Sequence, residues 1–136
     1  MSTRDAGGLE EFLRGQGASD RVVQGGLDVL LAGWERTVVA VEEGYTSGYE
    51  DYLNDLDGRQ LLAQALERVS PAQAAVVAER LDALDGRMRA ATTPVTRCLW
   101  GMIVAEEEGW TPEANWWYYA RPLGGSAEFL AEFPPA

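Results

Sequence analysis

The chain has no histidine, no lysine and a single cysteine among its 136 residues. Without histidine, Ser-His-Asp and Cys-His catalysis are excluded, and with them most zinc sites. Without lysine, no glycine-rich phosphate loop can end in Gly-Lys-Ser/Thr. Cys98 has no partner for an intramolecular disulfide. Its setting, Arg97-Cys98-Leu99-Trp100, reads as a small buried hydrophobe rather than a reactive thiol. No apolar stretch approaches the roughly 20 residues that cross a bilayer. The N-terminus shows no basic segment followed by an apolar run, so no signal peptide is expected and the cytoplasm is the expected compartment. Positive charge is scarce as well: 22 acids face 11 bases, all arginine, for a net charge of -11. That balance argues against binding DNA or RNA, whose phosphates need a basic footprint, and against an anionic membrane surface. It favours a basic protein partner, because charge complementarity speeds encounter.

What is present is a foldable composition. Hydrophobic residues make up 46% of the chain, which suits a folded globule. One helical domain over residues 1–136 is expected, with residues 1–8 polar, glycine-bearing and frayed. Leu9 to Arg14 forms a short helix anchored by Phe12 and Leu13, ended by Gly15-Gln16-Gly17. Ser19 offers an N-cap and Asp20 a favourable first-turn charge. Val23, Leu27, Leu30, Trp34, Val38 and Val41 then follow at helical spacing up to Gly44. The pair Gly25-Gly26 weakens the first turns or permits close packing.

A second long helix is expected over about 48–69. Tyr49, Leu53 and Leu56 form one stripe, and Leu62, Ala65, Leu66 and Val69 another, with a kink or short break at Asp57-Gly58. Ser70-Pro71-Ala72-Gln73 is a capping box with proline at the first helical position. It opens a third helix over about 71–90, striped by Ala74, Val77, Leu81, Leu84 and Met88. Leu81, Leu84 and Trp34 are expected core residues. Three long helices on short loops predict an all-α, antiparallel helical bundle with a tryptophan-rich C-terminal segment. For 95–105 helix is preferred, capped by Thr93-Pro94, with a buried strand as the alternative. Thr111-Pro112-Glu113 opens a short helix carrying Trp116 and Trp117, and the tail from Ser126 to Phe133 docks through Phe129, Leu130 and Phe133.

Two features carry the functional reading. Between Arg36 and Arg59 there is no positive charge, while Glu42, Glu43, Glu50, Asp51, Asp55 and Asp57 fall in that window, interleaved with Tyr45, Tyr49 and Tyr52. An acidic surface dotted with tyrosines suits a basic partner; the bland alternative is a solvated face with its tyrosines in the core. The second feature is Trp116-Trp117-Tyr118-Tyr119, closed by Ala120-Arg121-Pro122. Four consecutive aromatics cannot share one face of a regular element, so at least one lies at a boundary. Trp34, Trp100 and Trp110 are read as core or core edge. Arg121 stacks on the rings or pairs with a carboxylate. The expected partner contacts are Tyr49, Asp51, Tyr52, Asp55, Asp57, Trp116, Trp117 and Arg121.

Other chemistry is weakly coded. Asn54-Asp55-Leu56-Asp57-Gly58 is a poor calcium loop, because Leu53 and Gln64 would occupy its first and twelfth positions. No metal and no cofactor are expected. Paired carboxylates are abundant, yet no pair is singled out for acid/base work.

The segment Tyr49 to Arg59 resembles a pattern in small acidic bacterial proteins of the toxin-immunity type. They share an acidic Tyr-Leu-Asn-Asp-Leu-Asp-x-Arg helix, a Leu-x-x-Leu-Asp segment (Leu81 to Asp85) and a Trp-Trp-x-x-Arg-x-Pro-like ending (Trp116 to Pro122). This chain departs from it at Gly58 and at Tyr119-Ala120. The resemblance covers roughly half of the chain and implies a non-enzymatic protein that sequesters a toxin. The alternatives are a small ligand-binding or hydrolytic domain lined by carboxylates and tryptophans, with carbohydrate as the ligand class, and a homo-oligomer whose aromatics make self-contacts.

Overall fold

The computed structural model describes the backbone of residues 2–134 and the side chains of residues 8–134. Four helices dominate: α1 (Ser2–Gly15), α2 (Asp20–Glu43), α3 (Tyr49–Leu66) and α4 (Pro71–Ala90). The expectation of a frayed start falls partly on Met1, outside the described residues; the backbone is helical from Ser2. The central element is α2, packed against α1, α3 and α4. Its inward stripe of Val23, Leu30, Trp34, Val38 and Val41 is buried, with Leu31 and Thr37 beside it. The Ser19 hydroxyl accepts from the Val22 amide, capping the start.

The helix α2 is not continuous. Gly26 adopts φ 58°, ψ -136°, which kinks it after the first turns. That conformation is open to glycine and strained for other residues, so the Gly25-Gly26 pair acts here as a bend. By contrast, α3 runs without a break through Asp57-Gly58, correcting the expected interruption. The gap between its two apolar stripes is filled by Arg59, which is buried along with Leu56 and Leu62. Burial on both sides outweighs the roughly 1 kcal/mol that a helical glycine costs. In α4 both halves of the capping box are made. The Gln73 amide donates to Ser70 Oγ at 3.2 Å, and the Ser70 amide donates to Gln73 Oε1 at 3.1 Å. Val77, Leu81, Leu84 and Met88 form its buried face.

The C-terminal third departs from the all-α expectation. Strands β1 (Thr92–Pro94) and β2 (Ala120–Pro122) pair antiparallel, Thr93 opposite Arg121. Residues 95–101 are neither helix nor strand, and α5 (Met102–Glu108) starts later than expected. The reason lies in the backbone donors. The Val95 amide bonds to the Tyr119 carbonyl and the Leu99 amide to the Tyr118 carbonyl, each at 2.8 Å, so an aromatic segment distant in sequence holds the loop open. That segment, Trp116–Tyr119, is a single 3₁₀ turn rather than an α-helix. The tail forms α6 (Ala127–Ala131), capped by Ser126 and docked through buried Phe129 and Phe133. Gly125 makes the docking possible: a Cβ there would lie 2.9 Å from both the Tyr45 carbonyl oxygen and the Phe129 ring. No helix among the described residues is long and apolar enough to cross a membrane.

Candidate functional site

Three aspartates organise the aromatic side chains. Asp55, half-buried, accepts a 2.6 Å hydrogen bond from the Tyr45 hydroxyl. Asp85 accepts from Trp34 Nε1 at 2.9 Å and takes both arms of Arg59, at 3.1 and 2.9 Å. The Arg59 guanidinium lies 4.2 Å from the Trp117 ring centroid, so it is held between a carboxylate and an indole face. Arg59 Nη1 and Trp117 Nε1 are buried without a hydrogen-bond partner among the described residues. Asp57 accepts from the Tyr118 hydroxyl at 2.6 Å and from Trp100 Nε1 at 3.0 Å.

Most of the expected contact residues are therefore engaged inside the molecule. Tyr52 and Trp117 are buried, a correction to their reading as surface anchors. Position 52 lies on the inward face of α3, and its hydroxyl donates to the Ala120 carbonyl at 2.7 Å. Trp117 is covered by α3, whose Arg59 guanidinium lies over its ring. Tyr49 is half-buried and donates to the Leu99 carbonyl at 2.7 Å. Trp116 is the boundary member of the aromatic run, half-buried beneath the Arg89 guanidinium at 4.1 Å. Arg121 is half-buried, 5.3 Å from the Phe133 ring centroid. Asp51 is exposed and accepts from the Gly48 amide at the start of α3. Of the window's acids, Glu42 pairs with Arg87, whose hydrogen bonds hold its carboxyl below the usual range.

Asp55 lines an open cleft that Arg21 and Arg36 also line, whereas Asp57 lines one with no arginine among the described residues. The Asp57 cleft, about 380 Å³, is lined by Gln16, Asp57, Gln60, Leu61, Gln64, Glu108, Trp110 and Tyr118. Trp110, half-buried, stacks on the fully buried Tyr118 at 4.0 Å and 18° and forms the aromatic wall. Both hydrogen bonds to Asp57 land on Oδ1. The second oxygen takes no hydrogen bond from the described residues, and Asp57 itself is half-buried. Among the described residues, the result is a carboxylate fixed by two donors on one oxygen, in a cleft that holds a second acid and no arginine. Such a site accepts hydrogen bonds and positive charge. Sequence reading singled out Asp57 but missed Gln16, Gln60, Gln64, Glu108 and Trp110, which four separate elements and loops bring together. Among the described residues no group of three or more histidine, cysteine or acidic side chains is placed to hold a metal ion. No family model, curated protein or solved structure matches the chain.

Burial also governs the titration of this region. Desolvation raises the hydroxyl pKa of Tyr45, Tyr49, Tyr52, Tyr118 and Tyr119, and the carboxylates of Asp55 and Asp57 push Tyr45 and Tyr118 further up. Tyrosines of the unfolded chain ionise near pH 10, about the ordinary value. The folded state keeps these protons at higher pH, so their contribution is complete below about pH 10 and is lost above it. Tyrosinate absorbance is expected to rise together with loss of helical circular dichroism, in one alkaline transition. Tyrosinate appearing well before the helices melt would mean that the hydroxyls are not desolvated. Asp55 acts over a different range: burial raises its carboxyl pKa, against the hydrogen bond from Tyr45. Its contribution to stability therefore falls as pH rises from the ordinary aspartate value through the raised one.

Proposed function

We propose that this chain is a non-enzymatic protein-binding module of the toxin-immunity type, cytoplasmic, which sequesters a basic partner. In this reading the helices form an antiparallel bundle that serves as a scaffold, and the cleft beside Asp57 receives an arginine or lysine side chain of the partner. The observation that carries the reading is the pre-positioned Asp57 carboxylate, bonded through one oxygen among the described residues, with Glu108 and the Trp110 face around it. A guanidinium inserted there meets hydrogen-bond acceptors at its edge and an aromatic face beside it. The net charge of -11 adds long-range attraction. Glu43, Glu50 and Asp51, exposed on the acidic window, contribute to that field.

The test is a titration with an arginine-rich peptide at low and at physiological salt, comparing wild type with Asp57→Asn and Glu108→Gln. Asparagine keeps an oxygen for Trp100 and Tyr118, so Asp57→Asn spares the fold. Each substitution is expected to weaken binding by up to about fivefold, in keeping with about 0.2–1 kcal/mol per exposed pair. Salt is expected to slow association more than it speeds dissociation. Unchanged affinity in both variants would remove the cleft from this reading. The three glutamines and the aromatic wall support a second reading, a neutral hydroxyl-rich ligand such as a carbohydrate. Binding by that ligand would be insensitive to salt and lost in Trp110→Ala.

A further inference from the structure

A second cleft, of about 410 Å³, lies where β1 leads into the 95–99 loop and meets β2 and the C-terminal tail. Its lining inverts the character of the molecule. Arg97 and Arg121 both face it, and among the described residues no acidic one lines it. Neither arginine takes part in an ion pair among the described residues. Arg121 makes one long hydrogen bond, 3.4 Å to the Leu130 carbonyl, which leaves most of its five donors free. Apart from Thr96 the remaining walls are apolar, Val95, Leu99 and Phe133 among them. The volume falls within the range of small-molecule sites, where apolar walls hold the ligand body and a few charged groups orient it.

From this geometry we infer a binding site for a small monoanion with an apolar body, an aromatic or aliphatic carboxylate. Two guanidinium groups with no ion pair among the described residues, in a chain with twice as many acids as bases, are the feature that calls for an anion. A guanidinium fork matches a planar carboxylate in two-point contact. Val95, Leu99 and Phe133 call for the apolar body. The overall negative field selects a single charge, because each added negative charge must approach against it. The site is separate from the Asp57 cleft and does not depend on it.

The probe is 4-phenylbutyrate, followed by amide chemical shifts and by calorimetry on the full chain, against 4-phenylbutanol and 4-phenylbutylamine. Saturable shifts at Val95, Leu99, Arg121 and Phe133 are expected with the acid. The alcohol should bind about tenfold more weakly, the amine more weakly still. Arg97→Gln should weaken the acid about tenfold and leave the alcohol unchanged. Arg121 also touches the tail, so Arg97, which has no hydrogen bond among the described residues, is the decisive position. Asp57→Asn should leave phenylbutyrate binding intact. Equal affinity for acid and alcohol, an unaffected Arg97→Gln, or no saturable shift with phenylbutyrate would each overturn the inference.

Discussion

Asp85→Ala is expected to cost about 3–5 kcal/mol, the usual consequence of breaking a buried ion pair by removing one partner. The mechanism is specific. Arg59 would keep its charge, since guanidinium does not deprotonate, and would lose its two contacts with Asp85 while its Nη1 remains unpaired. Trp34 Nε1 would lose its acceptor at the same time. With a small domain holding about 5–15 kcal/mol in total, the variant would stand near its folding threshold. Asp85 is partly exposed, at 16% for its side chain, so water entering from that side places the loss toward the lower end. A double variant, Arg59→Met with Asp85→Leu, is expected to recover the part of the loss that comes from the unpaired guanidinium, because an apolar pair needs no charge compensation, while Trp34 Nε1 still lacks its acceptor. Chemical denaturation followed by tryptophan fluorescence is the measurement, with Trp34 and Trp117 beside the pair as reporters. A loss under about 0.5 kcal/mol for Asp85→Ala would mean that the pair is incidental.

The second large effect is expected at Phe129→Ala, about 3–5 kcal/mol for a buried phenylalanine. Phe129 is 1% exposed and packs against Tyr45, Tyr52 and Phe133 with ring centroids 4.8, 5.7 and 5.0 Å apart. Edge-on aromatic pairs add about 0.5–1.5 kcal/mol each beyond the area they bury. The tail thus closes one end of the main core, and its loss should lower the denaturation midpoint of the whole domain. Hydrogen exchange separates this from a local effect. If α6 alone exchanges faster in the variant while α2, α3 and α4 keep their protection, the tail is a satellite and not part of the cooperative unit.

These residues also show what could be seen before the fold was known. The helix α4 was legible to its ends, because its cap, its proline and its 3–4 spacing all lie within a few residues of one another. The start of α2 and its stop at Gly44 were legible for the same reason, whereas for Phe129 and Phe133 only their apolar character was, since the tyrosines they dock on lie far away in sequence. The continuity of α3 was not legible. Arg59 breaks an apolar stripe on paper, and only the carboxylate of Asp85, 26 positions away, makes that arginine a core residue. The acidic window was legible only in part. Asp55 and Asp57 look like surface charge, but Tyr45, Trp100 and Tyr118 reach them across the fold.

The sequence by itself determined the helical class of most of the chain, the caps, the single buried thiol and the exclusion of histidine- and lysine-dependent chemistry. Each depends on local periodicity, on capping within three residues, or on the presence of a residue type. The tertiary structure alone decided the small sheet, the 3₁₀ form of Trp116–Tyr119, the burial of Tyr52 and Trp117, and the two clefts. All of these rest on hydrogen bonds or packing between residues distant in sequence. Whether a carboxylate meets water or a phenol depends on what the folded chain brings beside it, and the spacing of neighbours along the chain carries no record of that.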